Sequence, residues 1–530
     1  MLPVFGLQMA VQNSNYLLRQ LPLRLPRVCV AVVGSSAQEM VTKAEGLGRD
    51  NPFIEFRLDY LHHPGLALPH VKRFLSYHPE VVAIGTCRRA VNGGKFRGPV
   101  ASQVDVLLKA AANGCQLVDL ELQSASAVKP ADFQKLRSRA SLILSYHDFH
   151  GTRKLEETFA KMRAYPADYF KLVTTAGSLH DNVVMMKFLE QESNHYSIVG
   201  LCMGEQGIIS RVLGVRAGSI FTFAAASPGE ETAPGQIAAK TLRDVYRIDQ
   251  VDAATRVYGV AGDPVAHSLS PRMMNAAFRR ENVNAVYVAL HARTLNDLER
   301  CVDGIPIQGL SITMPYKEQI VARLDNSDPL TRKIGACNTV VRAQDGKLYG
   351  FNTDVEGVIR PLEQRLGLAG AKVLVLGAGG AARAAVFGLK QRGAEVYILN
   401  RTPAPAQKLA RQARARAIKR LELKKTTFDV IINATPVGMA ESKSSLLSEK
   451  EINARFLLEM VYVPAETRLA KLARARGVEV IAGSEMFVQQ GARQFEIWTG
   501  KPAPLTEMRN EVQSALEAAA ASKAVPRRKH

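Results

Sequence analysis

No apolar run in the 530 residues approaches the length of a membrane span, so a spanning helix is not expected. Cysteine is sparse. The six residues (Cys29, Cys87, Cys115, Cys202, Cys301 and Cys337) are scattered, with no CxxC pair. That argues against a zinc site or a disulfide framework and fits free thiols in a reducing compartment. There is one tryptophan. Acidic residues number 49 against 69 Lys and Arg, a formal net charge of +20. The basic residues are spread out, clustering only in Arg411–Lys425 and in Arg527-Arg528-Lys529-His530, without interleaved aromatics. Such a pattern is a solvated basic surface that attracts anionic small molecules, not a nucleic-acid stripe. Neither nucleic acid nor a membrane is expected as a partner. Residues 1–24 lack any acidic residue and any helix or strand period, and read as a flexible extension. The expected location is cytoplasmic, or plastid if that extension is a targeting segment.

The chain is too long for one ordinary core, and its 47% hydrophobic and 22% charged residues are those of a soluble globular protein. Within residues 25–246, short β-branched runs alternate with helical patterns. Strands are expected at Val28–Val33, Phe53–Leu58, Val81–Thr86, Leu117–Leu122, Ser141–Tyr146, Tyr169–Thr174, Ser197–Cys202 and Ser219–Ala224. Eight βα units in this length predict a closed N-terminal (β/α)8 barrel, its last helix at Gly235–Tyr246 opened by Pro234-Gly235. Residues 247–255 read as a polar linker. A new α/β pattern starts at Val257, and Ala371–Asn400 reads strand, glycine turn, helix, strand. A helix is expected at Met486–Gly500 within a C-terminal segment 486–517, and a disordered basic tail at 518–530.

In a parallel barrel, chemistry stands at the C-terminal ends of the strands. Those ends carry Glu55, Arg57, Arg88, His147 and Lys171, with Arg211, Thr232 and Gln236 in the loops that follow. The arginines suit an anionic, oxygen-rich substrate. Lys171 lies between Phe170 and Leu172; burial and neighbouring cations both favour the neutral, nucleophilic amine. His147 suits a general acid/base.

These residues resemble type I 3-dehydroquinate dehydratase. The matching motifs are Glu55-Phe56-Arg57-Leu58-Asp59, Thr86-Cys87-Arg88, Val118-Asp119-Leu120-Glu121, Ser145-Tyr146-His147-Asp148-Phe149-His150, Lys171, Ser210-Arg211 and Thr232-Ala233-Pro234-Gly235-Gln236. The resemblance implies a metal-free barrel in which Lys171 forms an imine with the C3 ketone of 3-dehydroquinate. His147 would remove a C2 proton and help expel the C1 hydroxyl. Arg211 would bind the carboxylate, and Glu55, Arg57, Arg88, Thr232 and Gln236 the hydroxyls. One position departs from the family. Its Arg-x-x-x-Glu-Gly-Gly stretch here reads Arg88-Arg89-Ala90-Val91-Asn92-Gly93-Gly94. Asn92 cannot exchange a proton, though it can hydrogen-bond His147 or a hydroxyl.

In the second half, Val373-Leu374-Val375-Leu376 runs into Gly377-Ala378-Gly379-Gly380-Ala381, a strand, turn and helix start that suits a pyrophosphate. After the next strand comes Asn400-Arg401-Thr402 in place of an acid, which favours a 2′-phosphate and hence NADP(H). Upstream, Ser268 and Ser270 can clamp a carboxylate, with Ser270 as helix cap before Pro271. Together with Thr313, Lys317, Asn338, Asp354, Thr435, Tyr462, Gly483 and Gln490, the set resembles shikimate dehydrogenase. This implies a two-part α/β dehydrogenase: a substrate-binding domain at 256–360 and a Rossmann-like NADP-binding domain at 361–485, with segment 486–517 returning to the first. Lys317 and Asp354 would be the catalytic pair. Ser268, Ser270, Thr313, Asn338, Tyr462 and Gln490 would bind 3-dehydroshikimate or shikimate. Gly377 to Ala381, Asn400, Arg401, Thr402, Thr435 and Gly483 would line the cofactor cleft. The fused order resembles a bifunctional enzyme of the shikimate pathway. An NAD-dependent quinate dehydrogenase is disfavoured by Ser270, Thr313 and Arg401. A decayed scaffold is disfavoured by the retention of Lys171, Lys317 and Asp354.

Overall fold

In this computed structural model, residues 24–48, 50–266, 268–439 and 444–524 are described. The extension read at 1–24 lies outside them except for its last residue. The chain divides into two compact units. One comprises residues up to Gly177 with Val184–Leu242; the other comprises Ser178–Val183 with Arg243 onward.

The first unit is built on eight parallel strands: β1 (Val28–Val32), β2 (Phe53–Arg57), β3 (Val82–Thr86), β4 (Leu117–Glu121), β5 (Ser141–His147), β6 (Tyr169–Thr175), β7 (Ile198–Met203) and β8 (Thr222–Ala225). Their order is β7-β6-β5-β4-β3-β2-β1-β8. The expected closed barrel is nearly closed. β1 pairs with β8, but among the described residues no ladder joins β7 to β8; they are linked just before β8, where the Ile220 amide donates to the Ile198 carbonyl at 3.0 Å and the Gly200 amide to Ser219 Oγ at 3.2 Å. Strands with helices on one face and a filled interior on the other are buried at almost every position, as Phe53 to Arg57 are.

The period-2 alternation explains where the chemistry sits. Phe53, Leu117 and Ile143 belong to one buried apolar cluster with Cys29, Ile84, Val199 and Phe221. Two and four residues further on, the same faces carry Glu55 and Arg57, Asp119 and Glu121, Ser145 and His147. The interior is therefore oily at the N-terminal ends and polar at the C-terminal ends.

The expected helix at Gly235–Tyr246 is only Ala239–Asp244. Gly235 has φ +73°, and a Cβ there would lie 2.4 Å from the Gly204 carbonyl oxygen. Pro234-Gly235 is thus a turn pressed against the loop after β7, not a helix start.

The second unit holds two six-stranded sheets. One comprises β9 (Arg256–Gly262), β10 (Ala285–His291), β11 (Ile307–Ile312), β12 (Asn326–Ser327), β13 (Thr339–Arg342) and β14 (Leu348–Phe351), ordered β10-β9-β11-β13-β14-β12. It is mixed, because β13 runs antiparallel to both β11 and β14. The other is wholly parallel, of Rossmann type: β15 (Lys372–Leu376), β16 (Glu395–Leu399), β17 (Arg416–Ala417), β18 (Phe428–Asn433), β19 (Ala454–Glu459) and β20 (Glu479–Ile481), ordered β17-β16-β15-β18-β19-β20. The helix Gly483–Thr499 returns to the mixed sheet, its Phe487, Val488 and Phe495 sharing a core with Tyr258, Met273 and Phe278.

Two boundaries differ from expectation. The helix Leu505–Ala524 runs past 517, where the tail was expected to begin, because its Ala-rich sequence keeps strong helix propensity; the last six residues lie outside the described ones. The helix Asp354–Glu363 crosses the boundary drawn at 360. Among the described residues no helix is long and apolar enough to cross a membrane.

Candidate active sites

In the barrel, Lys171 projects from β6 and is 3% exposed. Its Nζ donates to Asp119 Oδ2 at 3.0 Å, lies 3.6 Å from Glu55 Oε1 and sits 3.8 Å above the Phe223 ring. The nearest charges to this lysine are carboxylates, not the expected arginines. Asp119 is the hub. It also accepts from Arg88 Nη2 at 3.2 Å and from Ser145 Oγ at 2.5 Å. Burial alone would push its carboxyl up, but Lys171, Arg88 and Ser145 together hold it below the usual range. Glu55 accepts from Thr86 Oγ1 at 2.8 Å. Arg57 forks onto Asp59 with two bonds of 2.9 Å, so its charge is engaged within the protein.

His147 ends β5, half-buried, 6.2 Å from the Phe149 ring and nearly parallel to it. Burial, then Arg88, Lys171 and Arg57, holds its imidazole well below the ordinary value. It is neutral at neutral pH, the form a base needs. Asn92, 8% exposed, leaves its Nδ2 without a hydrogen-bond partner among the described residues, so the amide nitrogen does not reach His147.

Arg211 is a buried cation with no carboxylate beside it among the described residues. It is 1% exposed; among the described residues it donates only to the carbonyls of Phe223 (3.4 Å) and Pro234 (3.2 Å), and its Nε has no partner. Burial drives its guanidinium down to about 10. Such a group asks for an anion from outside. Thr232 and Gln236 brace the neighbouring turn, the Thr232 amide and Oγ1 both donating to Gln236 Oε1 at 2.7 and 3.2 Å.

In the second unit, Lys317 Nζ meets Asp354 Oδ2 at 2.5 Å. Asp354 is the first residue of its helix and is 2% exposed. Its other oxygen accepts from Asn338 Nδ2 at 2.8 Å, and Asn338 is fixed in turn by the Thr353 amide donating to its Oδ1 at 2.7 Å. Gln490 Oε1 lies 3.4 Å from the same Asn338 amide. Thr313 follows β11, half-buried, its amide bound to the Ala261 carbonyl at 2.9 Å. Tyr462 stacks on Phe487 with centroids 4.6 Å apart, and burial raises its hydroxyl to about 12.

Ser270 does not cap its helix as expected. The helix Ser270–Arg280 has Leu269 at the cap, Ser270 as its first residue and Pro271 within its first turn. Ser268 Oγ takes the cap-like role, accepting the Ser270 amide at 3.2 Å.

The glycine turn follows β15. Gly377 has φ +113°, and a Cβ there would crowd the Ala434 carbonyl and the Thr435 methyl. Among the described residues nothing lies within 4 Å of a Cβ at Gly379, so the turn is open above the start of the helix Gly380–Gln391. A Cβ at Gly380 would lie 3.4 Å from Lys317 Cβ, so the helix start abuts the Lys317 side chain. Thr435 is held by Asn433 (Oγ1 to Oδ1, 2.8 Å), and Asn433 donates to buried Glu459 at 2.7 Å. Gly483 must be glycine, since a Cβ would meet the Val461 and Glu459 carbonyls at 2.5 and 2.7 Å. Asn400 closes the turn after β16 by donating to the Thr402 carbonyl at 2.9 Å, leaving Arg401 and Thr402 exposed. No acid stands in this segment. An open glycine turn on a helix N-terminus, with a cation at the end of the next strand, fits a dinucleotide bearing a 2′-phosphate.

Sequence reasoning did not select Asp119, Ser145 or Phe223 in the barrel, although period-2 spacing from Leu117 and Ile143 puts the first two on the interior face. It also passed over a buried chain in the second unit: Tyr287 OH donates to Ser311 Oγ (2.5 Å), Ser311 to Gln494 Oε1 (2.7 Å), and Gln494 Nε2 to the Asn338 carbonyl (3.1 Å). No local pattern marks these residues, which meet only through tertiary packing.

The model of type I 3-dehydroquinase matches residues 28–253, and that of the shikimate dehydrogenase substrate binding domain matches 260–340. Shikimate / quinate 5-dehydrogenase matches 361–457, and the shikimate 5'-dehydrogenase C-terminal domain 483–513. The chain is 35% identical over 504 residues to the chloroplastic bifunctional 3-dehydroquinate dehydratase/shikimate dehydrogenase of Arabidopsis thaliana, covering 90% of this chain and 82% of that one. It is 38% identical over 263 residues to shikimate dehydrogenase (NADP(+)) of Pyrococcus furiosus, covering 49% of this chain and 96% of the relative. Among solved structures, shikimate 5-dehydrogenase from Thermus thermophilus, in complex with NADP(H) and shikimate, is 35% identical over 49% of this chain and all of that one, with a TM-score of 0.47.

Proposed function

The chain belongs to the bifunctional 3-dehydroquinate dehydratase/shikimate dehydrogenase family, and from that premise we propose how its two lysine centres divide the work. It is a lyase and an NADP-dependent oxidoreductase of the shikimate pathway. It dehydrates 3-dehydroquinate to 3-dehydroshikimate and reduces that product to shikimate.

In the barrel, Lys171 Nζ attacks the C3 ketone and forms an imine with loss of water. Asp119 and Glu55 hold the amine where the ketone arrives and can accept its departing protons. His147, neutral, takes the C2 proton, and the electron pair moves into the imine as an enamine. The pair then returns, the C1–O bond breaks and His147 gives its proton to the departing oxygen; water then hydrolyses the imine, freeing Lys171 and releasing the C3 ketone of 3-dehydroshikimate. Arg211 anchors the carboxylate. Its buried charge without a protein anion supports this role. Arg88, Thr232 and Gln236 hold hydroxyls. Arg57 is already forked onto Asp59, so its part is to fix that loop as well as to offer a remaining N–H.

In the second unit, Ser268 and Ser270 hold the substrate carboxylate, while Thr313, Asn338, Tyr462 and Gln490 orient the ring. NADPH, when bound along Gly377 to Ala381 with its 2′-phosphate at Asn400, Arg401 and Thr402, supplies the hydride. Lys317 donates a hydrogen bond to the C3 carbonyl oxygen and its proton to the developing alkoxide. Asp354 keeps Lys317 aimed. Thr435 and Gly483 shape the cleft wall. The same proposal takes the protein as cytoplasmic, with plastid location the alternative if residues 1–24 act as a targeting segment.

The observation that carries this reading is the Lys317–Asp354 pair beside the start of the glycine-turn helix, in a chain whose other unit presents Lys171 among two carboxylates. The test is enone absorbance on adding 3-dehydroquinate to the purified protein without nicotinamide, followed by NADPH oxidation when the cofactor is added. Both signals are expected. Absence of the enone while shikimate oxidation proceeds would mean an inactive barrel.

A further inference from the structure

The turn that follows β3 presents hydrogen-bond donors without acceptors. Asn92 is 8% exposed, and its Nδ2 is buried with no partner; Arg88 Nε, four residues earlier in the same turn, is likewise buried and unmatched. A buried amide N–H without an acceptor is costly, so such a group in a well-made site marks where a ligand oxygen belongs. The turn is held firmly. The Asn92 amide donates to the Arg89 carbonyl at 2.9 Å, the Arg89 amide to Glu121 Oε1 at 2.8 Å, and the Phe96 amide to the Arg88 carbonyl at 3.1 Å. A Cβ at Gly93 would fall 2.3 Å from the Phe149 ring, so the turn packs on the β5 loop, whose Phe149 lies against His147.

Resting on the dehydratase reading above, we propose that Asn92 is a substrate-contacting residue whose amide donates a hydrogen bond to the leaving hydroxyl oxygen of the bound 3-dehydroquinate. When the C1–O bond breaks, the electron pair stays with oxygen, and His147 supplies the proton that makes it water. Asn92 moves no proton. It stabilises the charge growing on that oxygen, and as an amide it does so without titrating.

The test uses the full chain. Asn92→Asp keeps the size and removes the donor, Asn92→Ala removes the whole group, and Asn92→Gln keeps an amide. Dehydration kcat/KM is measured for each, alongside borohydride trapping of the Lys171 imine with 3-dehydroshikimate. That product no longer carries the departed hydroxyl, so its trapping reads the barrel and Lys171 without the proposed contact. The expectation is a loss of about tenfold or more in N92D and N92A, a smaller loss in N92Q, and wild-type imine yield in all three. N92D dehydrating as fast as wild type, or losing imine yield in step with activity, overturns the proposal. A wild-type protein that produces no enone defeats the dehydratase reading itself; an active wild type with an unaffected N92D defeats only this assignment.

Discussion

Replacing Arg211 with Met separates what the barrel needs to fold from what it needs to bind. The guanidinium is 1% exposed and bonded only to two carbonyls. Its fall from the ordinary value to about 10 corresponds to about 3 kcal/mol of penalty on the charged form, at about 1.4 kcal/mol per tenfold. Because the folded-state value lies below the unfolded one, that penalty is fully present at neutral pH and is relieved only as pH rises past 10. Removing the charge removes the penalty but strands the carbonyls of Phe223 and Pro234, at about 1 kcal/mol each. The barrel of R211M should therefore be as stable as wild type, or more stable by about 1–2 kcal/mol. Binding should suffer far more. Losing a buried charge partner for a carboxylate costs about 2–5 kcal/mol, or roughly 30-fold to several thousand-fold in affinity. Thermal unfolding with and without 3-dehydroshikimate reads both effects: wild type should be stabilised by the ligand, and R211M should not. A variant destabilised by more than about 2 kcal/mol, with KM for 3-dehydroquinate within threefold of wild type, would refute the reasoning.

Lys171→Ala should abolish dehydration and leave shikimate oxidation intact, while Lys317→Ala should do the reverse; equal loss of both activities in either variant contradicts independent centres. Since burial and three cations hold His147 well below the usual imidazole value, dehydration kcat/KM should stay flat as pH falls through 6.5 and decline only further down, where the base becomes protonated. An acid limb centred at or above 6.5 would show that another group titrates. Arg401→Asp should cut the preference for NADPH over NADH by about 10-fold or more by placing an acid against the 2′-phosphate, as read from kcat/KM with each cofactor. Arg383, on the helix of the glycine turn, donates to the Ile334 carbonyl and to Gln412 Oε1 (3.1 Å), tying that helix to the segment that leads to Asn338. Arg383→Met should raise KM for both NADPH and 3-dehydroshikimate; a change confined to the cofactor would refute that tie.

The barrel was legible because its code is local. Val28–Val32, Phe53–Arg57 and Leu117–Glu121 are short apolar runs punctuated by polar residues at their ends, and period-2 geometry turns each into a strand with a polar tip. Gly377 and Gly379-Gly380 were legible for the same reason, since a strand followed by glycines and a helix needs no distant partner. What failed was decided by non-local contact. Pro234-Gly235 has the composition of a helix start, yet Gly235 is committed to the Gly204 carbonyl, a contact made across the loop after β7. Ser270 has the composition of a cap, yet Ser268 fills that role because its hydroxyl reaches the Ser270 amide.

The two lysine centres show the same boundary between local and tertiary information. The apolar flanks of Lys171 foretell burial, and the fold delivers it. They say nothing of sign, and the sign came out opposite to the expected one: Asp119 and Glu55, from strands 52 and 116 residues away, surround the amine, while Arg88 reaches Lys171 only through their shared Asp119. A lysine placed among cations is activated by repulsion. A lysine placed between carboxylates is instead positioned, and relies on substrate arrival to displace or engage those partners before its amine is free to attack. Lys317 needs no such release. On the proposed role its task is to donate, and a single carboxylate at 2.5 Å, itself pinned by Asn338, holds it in place for that. On the proposed roles one residue type does opposite chemistry in the two units, and the tertiary fold brings two carboxylates to one amine and one to the other.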